Sequence, residues 1–293
     1  MLSAVGLPVL GALAPVVGAS DPVLLSEDQR EWADSNPVVR YGVSSVSYPF
    51  VFEDGGRPKG IVIDYLSRVE ARTGLAFRHV PMAGKVEARR ALAAGEIALV
   101  PFMRIDEARK ATYAFTKPVA RVALGLFTRT DGPYVEALDD LAGRRVGVPA
   151  GAAEAFGRVR SAPAYVEFDS TSALVRALGE GRVDAIVAPA PNVRFELGRQ
   201  HAQARVVLQT ILSTKVPYGM ACGLGTAPLV GILDRALDRM LRQERLDIAA
   251  RYAQAPSGSG VVPTAAQAAV VTTAMAAAVA AASVLRNGRV TGR

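Results

Sequence analysis

Cysteine is nearly absent from this chain of 293 residues, and Cys222 stands alone. A single cysteine excludes an internal disulfide and leaves the redox compartment open. Histidine is almost as scarce, with only His79 and His201, far apart in sequence. Metal sites are commonly built from clustered Cys and His, so no metal is expected here. The chain also lacks a GxSxG elbow, a phosphate-cradling GxxxxGK[ST] loop and a Ser-His-Asp set, so neither catalysis nor a cofactor is expected. The net charge is +7. No dense Lys/Arg run interleaves with aromatics, which argues against a nucleic-acid partner.

Charge is missing from the first residues and from a long stretch near the other end. Residues 1–20 (MLSAVGLPVLGALAPVVGAS) carry none. Their length, apolar character and small-residue end read as a secretory signal or an N-terminal anchor, although a positive n-region is lacking. No charged residue falls between Arg251 and Arg286. Residues 257–264 begin Ser-Gly-Ser-Gly and read as a linker. Residues 265–285 (AAQAAVVTTAMAAAVAAASVL) are 21 in number. At about 1.5 Å per residue, that helix just spans a hydrocarbon core of about 30 Å. The basic tail 286–293 would then lie in the cytoplasm. The other reading of 265–285 is a helical or irregular surface tail, because alanine inserts weakly.

Between these ends the chain writes one phrase twice. RALAAGEIALVP starts at Arg90 and RALGEGRVDAIVAP at Arg176. Each predicts a helix, a glycine stop and a buried strand that ends in proline. Around them strands alternate with helices. Ser26 to Gln29 has capping-box spacing for a lead-in helix within 24–37. VVRYGV, FRHVPM, RRVGVP and AYVEF read as strands. Residues 61–73 form a helix closed by Gly74, and Ser170 or Thr171 caps another. Near-continuous apolar strands predict a parallel sheet covered on both faces. The fold class is therefore α/β, in two lobes of similar construction.

Four ordered segments, YPFVFEDGGRPKGIVIDYLSRVEARTG, IDEARKATYAFTKPV, LDDLAGRRVGVPAG and ALGEGRVDAIVA, resemble the signatures of the family 3 periplasmic solute-binding proteins. The resemblance runs from about Val38 to Tyr252. It implies a type II Venus flytrap with a ligand cleft between its lobes. Lobe 1 would comprise residues 38–125 and lobe 2 residues 126–212, with a return to lobe 1 over 213–256. The lead-in LSEDQREWADSNPVVRYGV is similar to that of flytrap domains in unorthodox bacterial sensor histidine kinases. It implies a periplasmic domain tethered to the inner membrane, served by a kinase, cyclase or permease on another chain.

The resemblance also implies a site. Arg109 matches the arginine that grips a ligand carboxylate, where a guanidinium fork suits a planar anion. The alternative is a surface arginine paired with Asp106 and Glu107. Phe102, Met103 and Arg104 stand where hydroxyls are usual, and Arg104 is either a second cation in the cleft or solvated. Gly151, Ala152 and Ala153 match a turn whose backbone N–H groups meet the ligand. Pro189 replaces the acid that would pair a ligand ammonium, and a buried unpaired ammonium is costly. The expected ligand is thus a small carboxylate or aromatic acid, flanked by Tyr48, Phe50 or Phe52, although those rings can equally be core. The competing functions are an uptake-transporter component and a dehydratase-like enzyme on the same fold.

Overall fold

The computed structural model describes residues 22–43, 47–153 and 163–252. The signal or anchor 1–20, the linker 257–264, the apolar run 265–285 and the basic tail lie outside the described residues. Among the described residues no helix is long and apolar enough to cross a membrane.

The chain opens with α1 (Glu27–Ser35), where Ser26 and Gln29 form the expected capping box. It continues through β1 (Val38–Gly42), the hairpin β2 (Phe52–Asp54) and β3 (Arg57–Lys59), and α2 (Ile61–Thr73). Then come β4 (Ala76–Val80), α3 (Lys85–Ala93), β5 (Leu99–Arg104), α4 (Glu107–Lys110) and β6 (Tyr113–Phe115). A long strand, β7 (Ala120–Arg129), leads to β8 (Arg145–Pro149), β9 (Ala164–Phe168), α5 (Thr171–Gly179), β10 (Ala185–Pro189) and α6 (Ala190–Arg199). An 18-residue strand, β11 (Val206–Gly223), returns to α7 (Ala227–Asp238) and α8 (Arg242–Arg251).

The strands join in the order β4-β1-β5-β11-β7-β10-β8-β9, with β6 also on β11. Within each lobe the pairs β1–β4, β1–β5, β8–β9 and β8–β10 are parallel. The expected all-parallel sheet is corrected at the middle. There β7 and β11 run antiparallel to each other and to their neighbours β10 and β5. A chain that leaves one lobe and comes back must reverse direction, so its two crossing strands cannot both be parallel to the rest.

Burial on both faces is visible residue by residue. Leu99 joins the core under α2 and α7, while the adjacent Val100 joins a second cluster with Ala88, Leu92 and Ile97 of the α3 segment. In lobe 2, Ile186 packs with Leu174 and Leu178, and Val187 packs with Leu141 and Val148. The crossing strands serve both lobes. Val122 belongs to the lobe 1 core and Leu124 to a lobe 2 core. Opposite them the register of β11 shifts between Ile211 and Lys215. The boundaries proposed at 125/126 and 212/213 fall in this crossing.

The doubled phrase folds as two matching units. Gly95 and Gly181 follow the ends of α3 and α5 with φ of 73° and 71°, a left-handed conformation that a glycine adopts without a Cβ penalty. The copies differ at their prolines. Pro189 ends β10 as expected, but Pro101 lies inside β5, which runs on to Arg104. The pairing of β5 with β11 shifts register between Ala221 and Gly219, on either side of Pro101. A bulge is where a strand tolerates a residue without an N–H.

Cys222 is wholly buried in β11. Burial pushes its thiol up to about 12, with Asp234 adding to the shift and a bond to Thr226 opposing it. The thiolate is the reactive form. We expect no labelling of the native chain by a thiol reagent at pH 8, and prompt labelling after unfolding in urea. Rapid labelling without denaturant would contradict the burial.

Candidate ligand site between the lobes

The site starts from the end of β5. Arg104 is the last residue of that strand, and Asp106 caps α4 by accepting from the Arg109 backbone N–H at 2.9 Å. The free oxygen of the same carboxylate accepts from Arg104 Nε at 2.9 Å and also from Arg109 Nη1. Both guanidinia are largely enclosed, with side-chain exposures of 19% for Arg104 and 17% for Arg109. Arg109 is therefore paired with Asp106, as its surface alternative required, yet it is not a surface residue. Arg104 is a second cation beside it rather than a solvated one.

Both arginines reach lobe 2. Arg104 Nη2 donates to the carbonyl of Gly151. Gly151 has φ of 69°, and a Cβ added there would come within 3.3 Å of Arg109 Nη2. The backbone angle favours glycine at this turn, and a side chain there would also crowd the guanidinium by a few tenths of an ångström. The turn follows β8, and its N–H groups point at a carboxylate. Glu167 of β9 accepts from Gly151 N at 3.0 Å and from Ala153 N at 3.2 Å. The Gly151 bond, ahead of the opposing effect of burial, sets the Glu167 carboxyl below its ordinary range, with further help from Ala153 and Ala152. Ala152 itself is buried in the lobe 2 core.

The field around this junction is cationic on the lobe 1 side. Burial works to raise the Asp106 carboxyl, but the Arg109 N–H and the guanidinia of Arg109 and Arg104 outweigh it and hold it low. Burial, and then Arg104, lower the Arg109 guanidinium, while Asp106 opposes them. Lys85, at the start of α3, feels the same group. Burial depresses its ammonium, followed by Arg89; Asp169 of lobe 2 acts against this, and Arg109 and Arg104 add to it. Lys85 and Arg89 of lobe 1 thus lie within electrostatic reach of Arg104 and Arg109, and those two arginines share the carboxylate of Asp106. Glu167 and Asp169 are supplied by lobe 2.

Three stacked rings adjoin this cluster. Phe50 lies 4.8 Å from Phe102, and Phe102 lies 4.5 Å from Tyr218, with interplanar angles of 12° and 9°. Burial raises the Tyr218 hydroxyl, and Arg104 and Arg109 pull it down. Phe50 and Phe102 are buried in the lobe 1 core, and Tyr218, the third ring, stands opposite Arg104 in the pairing of β11 with β5. Tyr48 and Phe52 sit elsewhere, at a second contact between the lobes. Tyr48 stacks on Phe195 of α6 at 4.5 Å, and Phe52 lies 6.3 Å from the same ring. Beside them Asn192 Nδ2 donates to Ser47 Oγ at 3.4 Å. Pro189 is buried at the end of β10, where it pairs with Leu124 of β7. It contributes no hydrogen bond to the arginine cluster.

The structure therefore brings Arg104, Arg109, Gly151, Ala152 and Ala153 to one place, and puts Phe102 in the stack between Phe50 and Tyr218. It puts Tyr48 and Phe52 at another junction, and Phe50 in the core. Sequence reasoning missed Lys85, Arg89, Glu167, Asp169, Asn192, Phe195 and Tyr218, and it named Asp106 only as a surface partner of Arg109. Asp106 was legible as the cap of a D-x-x-R helix start. Glu167 was legible from its place near the carboxyl end of a strand, where α/β sheets place their sites. Among the described residues no group of His, Cys, Asp and Glu could hold a metal ion.

Two α/β lobes on a pair of crossing strands, meeting at a ring of charged groups, define a hinged ligand-binding domain. The model of the bacterial extracellular solute-binding proteins, family 3, matches residues 39–255, and the chain belongs to that family. It is 24% identical over 230 residues to the virulence sensor protein BvgS of Bordetella bronchiseptica, covering 78% of this chain and 19% of the relative. It is 22% identical over 246 residues to the sensor protein EvgS of Escherichia coli, covering 80% and 20%. It is also 23% identical to the probable amino-acid-binding protein YxeM of Bacillus subtilis, covering 73% and 82%. The chain thus spans about a fifth of the length of the two sensor proteins. Among solved structures, the periplasmic VFT2 domain of Bordetella pertussis BvgS superposes with a TM-score of 0.72 at 23% identity, covering 78% of this chain and 99% of that one. An ancestral arginine-binding protein bound to arginine gives 0.65 at 26% identity, covering 74% and 98%.

Proposed function

We propose that this chain is a periplasmic sensory flytrap domain, anchored to the inner membrane through residues 265–285, that closes on a small anion. One observation carries the ligand class. Arg104 and Arg109 converge on Gly151 of the opposite lobe around a carboxylate that the protein itself provides, Asp106. A junction that seats a carboxylate between two guanidinia is suited to seating another. Bidentate, charge-assisted bonds are the strong ones in such a setting. A ligand anion would displace Asp106 or share the guanidinia with it, and the lobe equilibrium would shift by its differential affinity. The sensory role is supported by the likeness to the two sensor proteins, and a kinase partner would follow from it. The alternatives of an uptake component and of an enzyme keep no specific observation here.

A second reading has one. The superposition on an arginine-binding protein, together with Glu167 and Asp169 on the lobe 2 wall, favours an amino acid whose cationic groups meet those carboxylates. Calorimetry on the full-length chain decides between them. Acetate, benzoate, succinate and phosphate would be titrated beside free arginine and glutamine. Heat from a carboxylate or phosphate, and none from the amino acids, is the expected result. Tight binding of arginine or glutamine, with silence from the simple anions, would replace this reading with the second.

A further inference from the structure

The second junction between the lobes lies far in sequence from the arginines and ends at Tyr252, the cap of α8. We propose that Tyr48 is a positioning residue that couples closure of lobe 2 to the C-terminal end of α8. Its two ends touch different bodies. The ring lies flat against Phe195 of lobe 2 at 4.5 Å, with an interplanar angle of 9°. The hydroxyl donates to the backbone carbonyl of Tyr252 at 3.0 Å, 204 positions away in sequence. Tyr252 caps α8, and its carbonyl is one of those that a helix end leaves without an internal partner. Phe52 completes the junction, 5.2 Å from Tyr48 and edge-on to Tyr252 at 6.0 Å.

The mounting of Tyr48 suits transmission rather than absorption of a movement. Its loop is tied at both ends. Ser47 N donates to Val51 O at 2.6 Å, and the first N–H groups of α2, on Ile61 and Val62, donate to Pro49 O and Phe50 O at 3.0 Å each. The ring is 7% exposed, so its orientation is set by what stacks on it. When lobe 2 swings away, Phe195 leaves and one face of the Tyr48 ring loses its neighbour. An aromatic pair of this kind contributes about 0.5–1.5 kcal/mol beyond area burial. The hydroxyl then holds Tyr252 less firmly, and the last turn of α8 loosens. This assignment rests on the reading of a hinged domain and names its output, but it does not depend on what the ligand is.

Hydrogen exchange on the full-length chain without ligand tests it. Tyr48→Phe removes the hydroxyl and keeps the stack. Phe195→Leu removes the stack and leaves the hydroxyl. Each is expected to speed exchange in the last turn of α8, Ile248 to Tyr252, by about tenfold, the scale of one net hydrogen bond. Exchange in α5 should not change. Phe195→Tyr, which keeps a ring, should restore the wild-type rate. The double variant should be no faster than either single one, because both act on one contact chain. An unchanged last turn in Phe195→Leu would overturn the proposal, and so would an equal acceleration in α5. Neither result bears on the anion titrations, so the two readings fail separately.

Discussion

Arg109→Ala is expected to weaken anion binding at least a hundredfold while leaving the fold intact. A hydrogen bond to a charged partner contributes about 1.5–3 kcal/mol, and a guanidinium can make two in parallel. A loss of about 3 kcal/mol corresponds to slightly more than two decades in Kd. The fold should survive because the change strands no buried charge. Asp106 keeps its bond to Arg104 Nε and its cap on the backbone N–H of residue 109. Arg109→Lys should lie between, since an ammonium is a point charge without the planar fork. Asp106→Asn is the informative companion. Asparagine still caps a helix well, but it no longer competes as an anion for the two guanidinia. Binding of benzoate, succinate or phosphate should therefore tighten by about tenfold. Calorimetry with each variant, and circular dichroism to check folding, makes these comparisons. Wild-type affinity in Arg109→Ala would move the anchor to Lys85 and Arg89.

Which parts of this arrangement the sequence announces follows from the range of the interactions. Ser26, Gly74 and Ser170 are legible because caps are settled within a few residues. The doubled phrase is legible because helix, glycine and strand are local. Arg109 is legible through the ordered segments around it. The direction of β7 and β11 is not local, because it depends on the chain returning across the junction some eighty residues later. Pro101 illustrates the same limit. Its position inside β5 is tolerated by a bulge whose other side is β11, more than a hundred residues on. The occupation of the anion donors was equally hidden. That Glu167 sits on the N–H groups of Gly151 and Ala153 depends on β9 lying beside β8. The rings Tyr48, Phe50 and Phe52 show the limit of spacing: alternate positions in a single short segment end as an interlobe contact, a core residue and a half-buried neighbour.

Glu244→Ala should lower stability by about 2–3 kcal/mol, less than the loss of one partner from a fully buried ion pair because the Glu244 side is partly exposed. Arg72 of α2 is the reason. Its side chain is only 7% exposed, and Nη2 donates to Glu244 Oε2 of α8 at 2.7 Å. Arg68 Nε reaches the other oxygen of the same carboxylate at 3.1 Å. Without Glu244, Arg72 keeps only its bond to the Arg68 carbonyl at 3.2 Å, and its charge stays enclosed. The pair as a whole is worth less than its disruption. Replacing both partners, as Arg72→Met with Glu244→Leu, should therefore recover most of the loss. Urea unfolding of the two single variants and the double one separates a stranded charge from a general weakening. If all three lose stability in simple proportion, the enclosed-charge account fails. The same ion pair docks α8 on α2, and Arg251 of α8 adds a bond to Asp64 of α2 at 3.2 Å. The helix that ends at Tyr252 is thus held to lobe 1 by charge along its length and by Tyr48 at its tip. Loss of Glu244 would leave the helix held by the Arg251–Asp64 bond and by Tyr48 at its tip.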